Sequence, residues 1–170
     1  AISGDRILVT AREDDDLGAE SGSAYLFERQ GSAWQQTGKL VASDGSPQDL
    51  FGTSADLEGD LAVIGAAVAD GLEPQAGAAY VYERFGGAYL PTAKLMADDG
   101  ETGDFFGTSI ALSGEAIVVG AWADDDGGNQ AGAAYVFERD GSGWSQSHKL
   151  VAGSPGALEF FGHDVAVDDA

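Results

Sequence analysis

Apolar residues in this chain fall into short runs, each bounded by glycine or by a polar pair. In GTSIALS (Gly107–Ser113), Ile110 and Leu112 alternate with smaller or polar neighbours, the period-two pattern of a half-buried strand. A Gly-acid turn follows at Gly114-Glu115, matched by Gly59-Asp60 and Gly4-Asp5. AIVVGAW (Ala116–Trp122) is then continuously apolar, as expected of a strand covered on both faces. A polar loop of about eight residues leads to AGAAYVFER (Ala131–Arg139), a Gly-containing hairpin turn and WSQSHKLVA (Trp144–Ala152). Segments with a 3.6-residue apolar period and end caps are absent from the sequence. The pattern predicts four consecutive antiparallel strands.

The same pattern recurs at a constant offset of 55 residues, with no insertion or deletion. Ile2, Leu57, Leu112 and Val167 align, as do Tyr25, Tyr80 and Tyr135, and Lys39, Lys94 and Lys149. The dipeptides Glu28-Arg29, Glu83-Arg84 and Glu138-Arg139 align as well. The two full copies, Phe51–Phe105 and Phe106–Phe160, are identical at 24 of 55 positions. Residues 1–50 form a partial copy, and 161–170 (FGHDVAVDDA) begin a further one. A unit of four antiparallel strands at this period is the signature of a β-propeller blade, so the fold class is all-β, with about three blades. Aromatic residues recur in register (Trp34, Tyr89 and Trp144; Phe27, Tyr82 and Phe137), which assigns them to packing between blades.

These residues carry a resemblance. Phe-Gly, a strand, Val-Ile-Gly-Ala or Val-Val-Gly-Ala, then Gly-Ala-Ala-Tyr-Val resembles the FG-GAP repeat, the blade unit of integrin α-subunit propellers and of many secreted microbial proteins. The resemblance implies a non-catalytic propeller at the cell exterior. The Pro of the GAP element is missing: Ala67 and Trp122 stand there, and the first copy reads Thr10-Ala11-Arg12. Integrin-like blades also carry an Asp-x-Asp-x-Asp-Gly calcium loop between the first two strands. Here that segment is only Glu58-Gly59-Asp60 or Ser113-Gly114-Glu115, too short to wrap an ion with six to eight oxygens. The chain is thus similar to the bacterial and archaeal subtype without that loop.

Charge narrows the partners. Twenty-nine acids against eight bases give a net charge of −21, a field that repels nucleic acid and anionic membrane surfaces. The longest apolar runs are strand-sized, so no membrane insertion is expected. Asp outnumbers Glu and lysine is scarce, a balance that resembles halophilic surfaces, where salt screens self-repulsion. An acidic secreted protein, or one binding divalent cations diffusely, is the other reading. Cysteine is absent, which removes disulfides, thiolate metal sites and thiol catalysis. The chain starts at Ala1 without a start methionine, so a processed form or an excerpt is expected.

Candidate chemistry lies in the loops after the second strands. Asp14, Asp15 and Asp16 align with Asp124, Asp125 and Asp126, while the middle copy keeps only Asp70. Successive side chains diverge along an extended backbone, so three aspartates in a row do not by themselves converge on an ion. With Gly127, Gly128 and Asn129 beside them, the loop can curl and add carbonyls, which makes calcium the candidate ligand. A solvated acidic loop is the alternative. His148 and His163 are not repeated and align with variable or Thr positions, which assigns them to surface or turn roles. No nucleophile elbow or carboxylate pair stands apart from the repeat, so no catalytic residue is assigned.

About three blades fall short of the four a propeller needs to close. Either the chain belongs to a longer propeller of about six to eight blades, or copies associate through their open edges. The expected function is an extracellular or cell-surface scaffold for adhesion, interaction or surface assembly, with protein or glycan partners or further copies of itself. The alternative is an accessory propeller domain of a secreted hydrolase or lyase whose catalytic module lies outside this chain. Loops that vary between copies (17–21, 71–75 and 127–130) are the places expected to meet a partner.

Overall fold

The computed structural model describes residues 1–168. Twelve strands form three antiparallel four-stranded sheets, each in simple sequence order. Blade 1 holds β1 (Ile2–Ser3), β2 (Arg6–Ala11), β3 (Ser23–Gln30) and β4 (Ala33–Leu40). Blade 2 holds β5 (Phe51–Glu58), β6 (Leu61–Ala66), β7 (Ala78–Phe85) and β8 (Ala88–Leu95). Blade 3 holds β9 (Ser109–Ser113), β10 (Ala116–Ala121), β11 (Ala133–Asp140) and β12 (Gly143–Leu150). Neighbouring sheets approach most closely at β5, which lies against β2 and β1 of blade 1 and β9 of blade 3. The three blades do not close, so the molecule is a partial propeller.

The first two strands of each blade meet at a two-residue turn. Gly59 (φ +54°) takes its first position, where a side-chain-bearing residue would be strained. Strand 4 of each blade bulges opposite strand 3, at Leu26/Phe27, Val81/Tyr82 and Val136/Phe137. In blades 2 and 3 the bulged residues Thr92 and Ser147 donate their hydroxyls to the carbonyls of Val81 and Val136. The bulge adds local twist, which lets the outer hairpins fan away from the inner strands.

Two hydrophobic cores exist, and each lies between blades rather than within one. The first joins Leu8, Leu26 and Leu40 of blade 1 to Phe51, Ile64, Tyr80 and Tyr82 of blade 2. The second repeats it one unit later, with Val63, Val81 and Leu95 facing Phe106, Val119, Tyr135 and Phe137. The apolar run of β6 is buried on both faces because blade 2 has a neighbour on each side. Val118 of β10 is only half-buried, because blade 3 lacks the second neighbour. The period-two and continuous patterns in the sequence are therefore both explained by blade position.

The Phe-Gly pair fixes each junction. The Phe51 and Phe106 backbones bridge in parallel to Gly22 and Gly77 of the preceding blade. The Phe106 ring meanwhile packs edge-on against Tyr135 and Phe137 of its own blade, with centroids 5.5 and 5.8 Å away. Phe51 makes the same contacts with Tyr80 and Tyr82. A Cβ at Gly77 would lie 2.1 Å from the Phe106 carbonyl oxygen, so this close approach admits only glycine. Inner strands add the Ser54 and Ser109 hydroxyls, which donate to the carbonyls of Gly107 and Gly162 at 2.7 and 2.8 Å. The first ladder of blade 3 starts at Ser109, two residues after the Gly107 amide donates to the Gly120 carbonyl at 3.0 Å.

The expected further copy begins in the same way. Phe161 bridges to Gly132 and donates its amide to the Ala131 carbonyl at 2.9 Å. Residues 162–168 then run without a strand ladder, and Asp169 and Ala170 lie outside the described residues. The Phe161 ring is 36% exposed, whereas Phe51 and Phe106 are fully buried. Phe106→Ala is expected to cost about 3–5 kcal/mol of stability, the range for emptying a buried Phe site. Phe161→Ala is expected to cost under about 1 kcal/mol, as a surface change does. Urea unfolding midpoints of the two variants check this, and equal losses would contradict a core built between blades.

Candidate functional site

Two sets of loops share one rim of the blades: those joining strands 2 and 3, and those joining strand 4 to the next blade. They are laced by backbone hydrogen bonds, from Gln48 N to Ala19 O (2.8 Å), Gly103 N to Gln75 O (3.2 Å) and Leu158 N to Asn129 O (2.9 Å). Left-handed residues recur in register: Glu20, Gln75 and Gln130 in one loop set, Leu50, Phe105 and Phe160 in the other. Each costs about 1–2 kcal/mol, so their recurrence marks a conformation enforced by the junction. The rim is a fixed platform.

On that platform every lysine of the chain sits over a tyrosine and among carboxylates. Lys39, Lys94 and Lys149 lie 4.9, 5.3 and 5.3 Å from the ring centroids of Tyr25, Tyr80 and Tyr135. In blade 1 Asp14 accepts hydrogen bonds from Tyr25, Ser23 and Lys39, which hold its carboxyl well below the usual range. Asp16 pairs with the same Lys39, which is raised above its usual value. Asp15 turns away and accepts the Glu20 amide at 2.8 Å.

Blade 2 has alanine (Ala69) where Asp14 would stand, and the previous blade supplies the acid. Asp44 accepts from Tyr80 and Lys94, each at 2.7 Å. Blade 3 has both sources. Lys149 bridges Asp99 of blade 2 (2.9 Å) with Asp124 (2.9 Å) and Asp126 (2.6 Å) of its own loop, while Tyr135 donates to Asp124 at 2.6 Å. Burial works against the Lys149 charge, but the three carboxylates outweigh it and raise the ammonium above its usual value. Burial likewise opposes ionisation of Asp99, yet the hydrogen bond from the Lys149 ammonium keeps its carboxyl low.

Of the six expected metal ligands, Asp14, Asp16, Asp124 and Asp126 are thus drawn toward lysines, Asp15 serves a turn, and Asp125 is exposed. Among the described residues, no group of three or more His, Cys, Asp or Glu side chains is arranged to hold a metal ion. His148 is exposed on β12 with Nδ1 3.1 Å from the Ser147 hydroxyl, and His163 is exposed after the last bridge. The Glu-Arg dipeptides pair between blades: Arg84 with Glu28 and Arg139 with Glu83, each at 2.9 Å. Their recurrence therefore reflects the scaffold.

Two features of the rim went unassigned in the sequence. Phe105 stacks on Trp122 (5.5 Å between centroids, 13° between planes), and Phe160 meets the same indole edge-on at 5.3 Å. The equivalent positions hold Leu50 with Ala67 and Arg12, so this cluster occurs once, at the blade 3 end. Its signal in the sequence is a departure from the repeat rather than agreement with it. The second feature is Asp104, buried at the foot of the cluster with Oδ2 accepting the Glu101 amide at 2.8 Å. Burial first, then the charges of Asp124 and Asp125, push its carboxyl up to about 6.

A carboxyl raised in the folded state binds its proton more tightly there than in the unfolded chain. Stability from this group is therefore lost as pH rises from about 4 to 6 and stays lost above that range. Asp104→Asn keeps an acceptor for the Glu101 amide and removes the charge. It is expected to raise stability by about 1–3 kcal/mol at pH 7.5 and to leave it nearly unchanged at pH 4. Unfolding midpoints at the two pH values check the sign.

Comparison with known proteins places this architecture. No curated protein matches the chain significantly. Residues 1–27, 34–82 and 89–137 each match the FG-GAP repeat. Each of the two longer matches runs from the fourth strand of one blade to the third strand of the next, so it spans a Phe-Gly junction. Repeats of this kind form β-propeller interaction domains, and with well over half of its residues matched, this chain belongs to the FG-GAP repeat family.

Proposed function

We propose that the chain is a non-catalytic interaction module acting outside the cell or at its surface, and that it meets a basic protein surface through the blade 3 end of its rim. The observation that carries the reading is the Phe105–Trp122–Phe160 cluster, half-exposed and carried on loops that also hold the exposed acids Asp125, Asp126 and Glu159. Aromatic anchors, tryptophan above all, concentrate binding energy at protein interfaces. A contact site made once per array departs from the repeat, and this cluster does so while the scaffold contacts do not. The acid excess would steer a cationic partner toward it. Membership of the family is what suggests an adhesive or surface-assembly role; among the described residues no helix is long and apolar enough to cross a membrane.

Lysine, rather than calcium, is the counter-ion this reading assigns to the acidic loops. Lys149 already occupies the space between Asp99, Asp124 and Asp126, and a cation entering there would have to displace it. Calorimetric titration of calcium into the chain and into Asp124→Asn/Asp126→Asn should give the same flat trace. Heat of site binding lost in the variant would reassign the loops to calcium.

The contact itself is tested by fluorescence in a Trp34→Phe/Trp144→Phe background, which leaves Trp122 as the only indole. A short lysine- and arginine-rich peptide is expected to shift its emission and to do so less as salt rises. Response to neutral oligosaccharides instead would make the ligand a glycan. Silence toward the peptide, or a peptide response that survives Trp122→Ala measured by calorimetry, would overturn the assignment. The same acid excess makes a halophilic setting testable: raising KCl from about 0.1 to 2 M is expected to raise the unfolding midpoint, because self-repulsion is screened. A midpoint indifferent to salt would speak against that setting.

A further inference from the structure

Between blades 1 and 2 lies a half-enclosed cavity of about 160 Å³, and we infer that it takes one neutral pyranose ring of a glycan. Its blade 1 wall is built by Arg6, Leu26, Glu28, Thr37 and Leu40, and its blade 2 wall by Tyr89 of β8. Strands and a hairpin line it rather than rim loops, so the inference is independent of the contact at Trp122.

The cavity is a departure from the repeat. At the junction of blades 2 and 3, Leu61 and Trp144 stand where Arg6 and Tyr89 do here, and both pack against the second core. Leu26 with Gly38 becomes Val81 with Ala93, an exchange that keeps the number of side-chain carbons. The difference therefore lies in Tyr89, smaller than an indole, and in Arg6. The Arg6 side chain reaches away from the core, with Nη1 donating to exposed Asp60 at 2.6 Å and to the Tyr89 hydroxyl at 3.2 Å. The Phe-Gly clasp needs neither residue, since the second junction forms without them.

The polar groups left over point to a hydroxyl-bearing ligand. Arg6 and Glu28 stand opposite each other in the β2–β3 ladder and so share the face turned to blade 2. Among the described residues Nε and Nη2 of Arg6 donate to nothing. Glu28 offers Oε1 to Arg84 at 2.9 Å and keeps Oε2. Thr37 keeps its hydroxyl, whereas its equivalents Thr92 and Ser147 donate theirs to Val81 and Val136. A guanidinium only donates and a carboxylate only accepts, while a hydroxyl does both, so neighbouring hydroxyls of one ring satisfy the pair together. The C–H face of that ring would lie on Leu26, Leu40 and Tyr89. An anion would meet Glu28 and the field of a chain at −21, and a cation would meet Arg6, so a neutral ligand suits the site best. The size agrees, since a cavity of about 150 Å³ holds one six-membered ring.

The test is amide NMR on the whole chain with free sugars as probes. Glucose, galactose, mannose and N-acetylglucosamine are titrated separately, and at least one is expected to move the Gly38 and Gly87 amides, which line the cavity. The expected Kd is about 1–10 mM, what a dozen non-hydrogen atoms deliver at ordinary ligand efficiency. Arg6→Leu/Tyr89→Trp writes the second junction's residues into the first. It should abolish the shifts while circular dichroism and the unfolding midpoint stay as they were. Arg6→Lys keeps the charge but loses the planar fork, and should weaken binding about tenfold. Trp122→Ala should leave the affinity unchanged, which separates this site from the rim. Amides that no sugar moves would overturn the inference, as would binding that survives the double variant. Shifts with benzoate but with no sugar would make the ligand an acid and overturn it too.

Discussion

The constraint on which everything else depends is the clasp made by Phe-Gly. Its backbone belongs to the preceding blade and its ring to its own, so neither blade is complete without the other. The glycine that receives it (Gly22, Gly77 or Gly132) must lack a side chain, because the Phe carbonyl lies where a Cβ would be. Around this clasp the cores form between sheets, the rim loops are pinned into left-handed turns, and the lysines are delivered to the acids of two neighbouring loops. A four-stranded sheet this thin has two apolar faces and no layer of its own to hide them. Stacking against the next blade supplies that layer.

Residue pairs that bind across a junction explain why the sequence repeats where it does. Glu28 with Arg84, Glu83 with Arg139, and Glu58 with the Gly114 amide all lie 56 residues apart, one more than the repeat. The adjacent Glu and Arg of each dipeptide therefore point to opposite neighbours, as alternating side chains of a strand must. The lysine nodes tolerate more variation. When Asp14 has no counterpart in the middle copy, Asp44 from the previous blade takes over both the tyrosine and the lysine. The ammonium stays in place while its counter-ions change.

Much of the fold was legible because agreement between copies isolates what the scaffold needs. Strand order, hairpin turns and the aromatic packing positions all follow from the 55-residue register, and the boundaries shift by only one or two residues. The strand 4 bulge was not legible, since nothing marks Thr92 or Ser147 as the extra residue until the pairing with Val81 and Val136 is seen. The rim was harder still. Runs such as Asp124-Asp125-Asp126 suggest ligands, but the deciding partner, Lys149, is 23 residues away and is recruited by folding. Trp122 was legible only as a missing proline. Its neighbours Phe105 and Phe160 stand out in the sequence only as the last residues of the two full copies, and their stacking depends on a backbone conformation the sequence does not announce.

One consequence of the shared junction concerns how such a chain can grow. The junction contacts recur at fixed separations, 29 residues for the Phe-Gly clasp and 56 for the Glu-Arg pairs, and none is confined to a particular blade. A duplicated stretch of 55 residues, cut at any phase, would therefore arrive with both of its mating surfaces already complementary to its new neighbours. Lengthening demands no simultaneous invention of a surface and its complement, which is the usual obstacle to enlarging a packed core. Array length in this architecture is thus a quantity that recombination can change freely, with novelty left to departures such as Trp122.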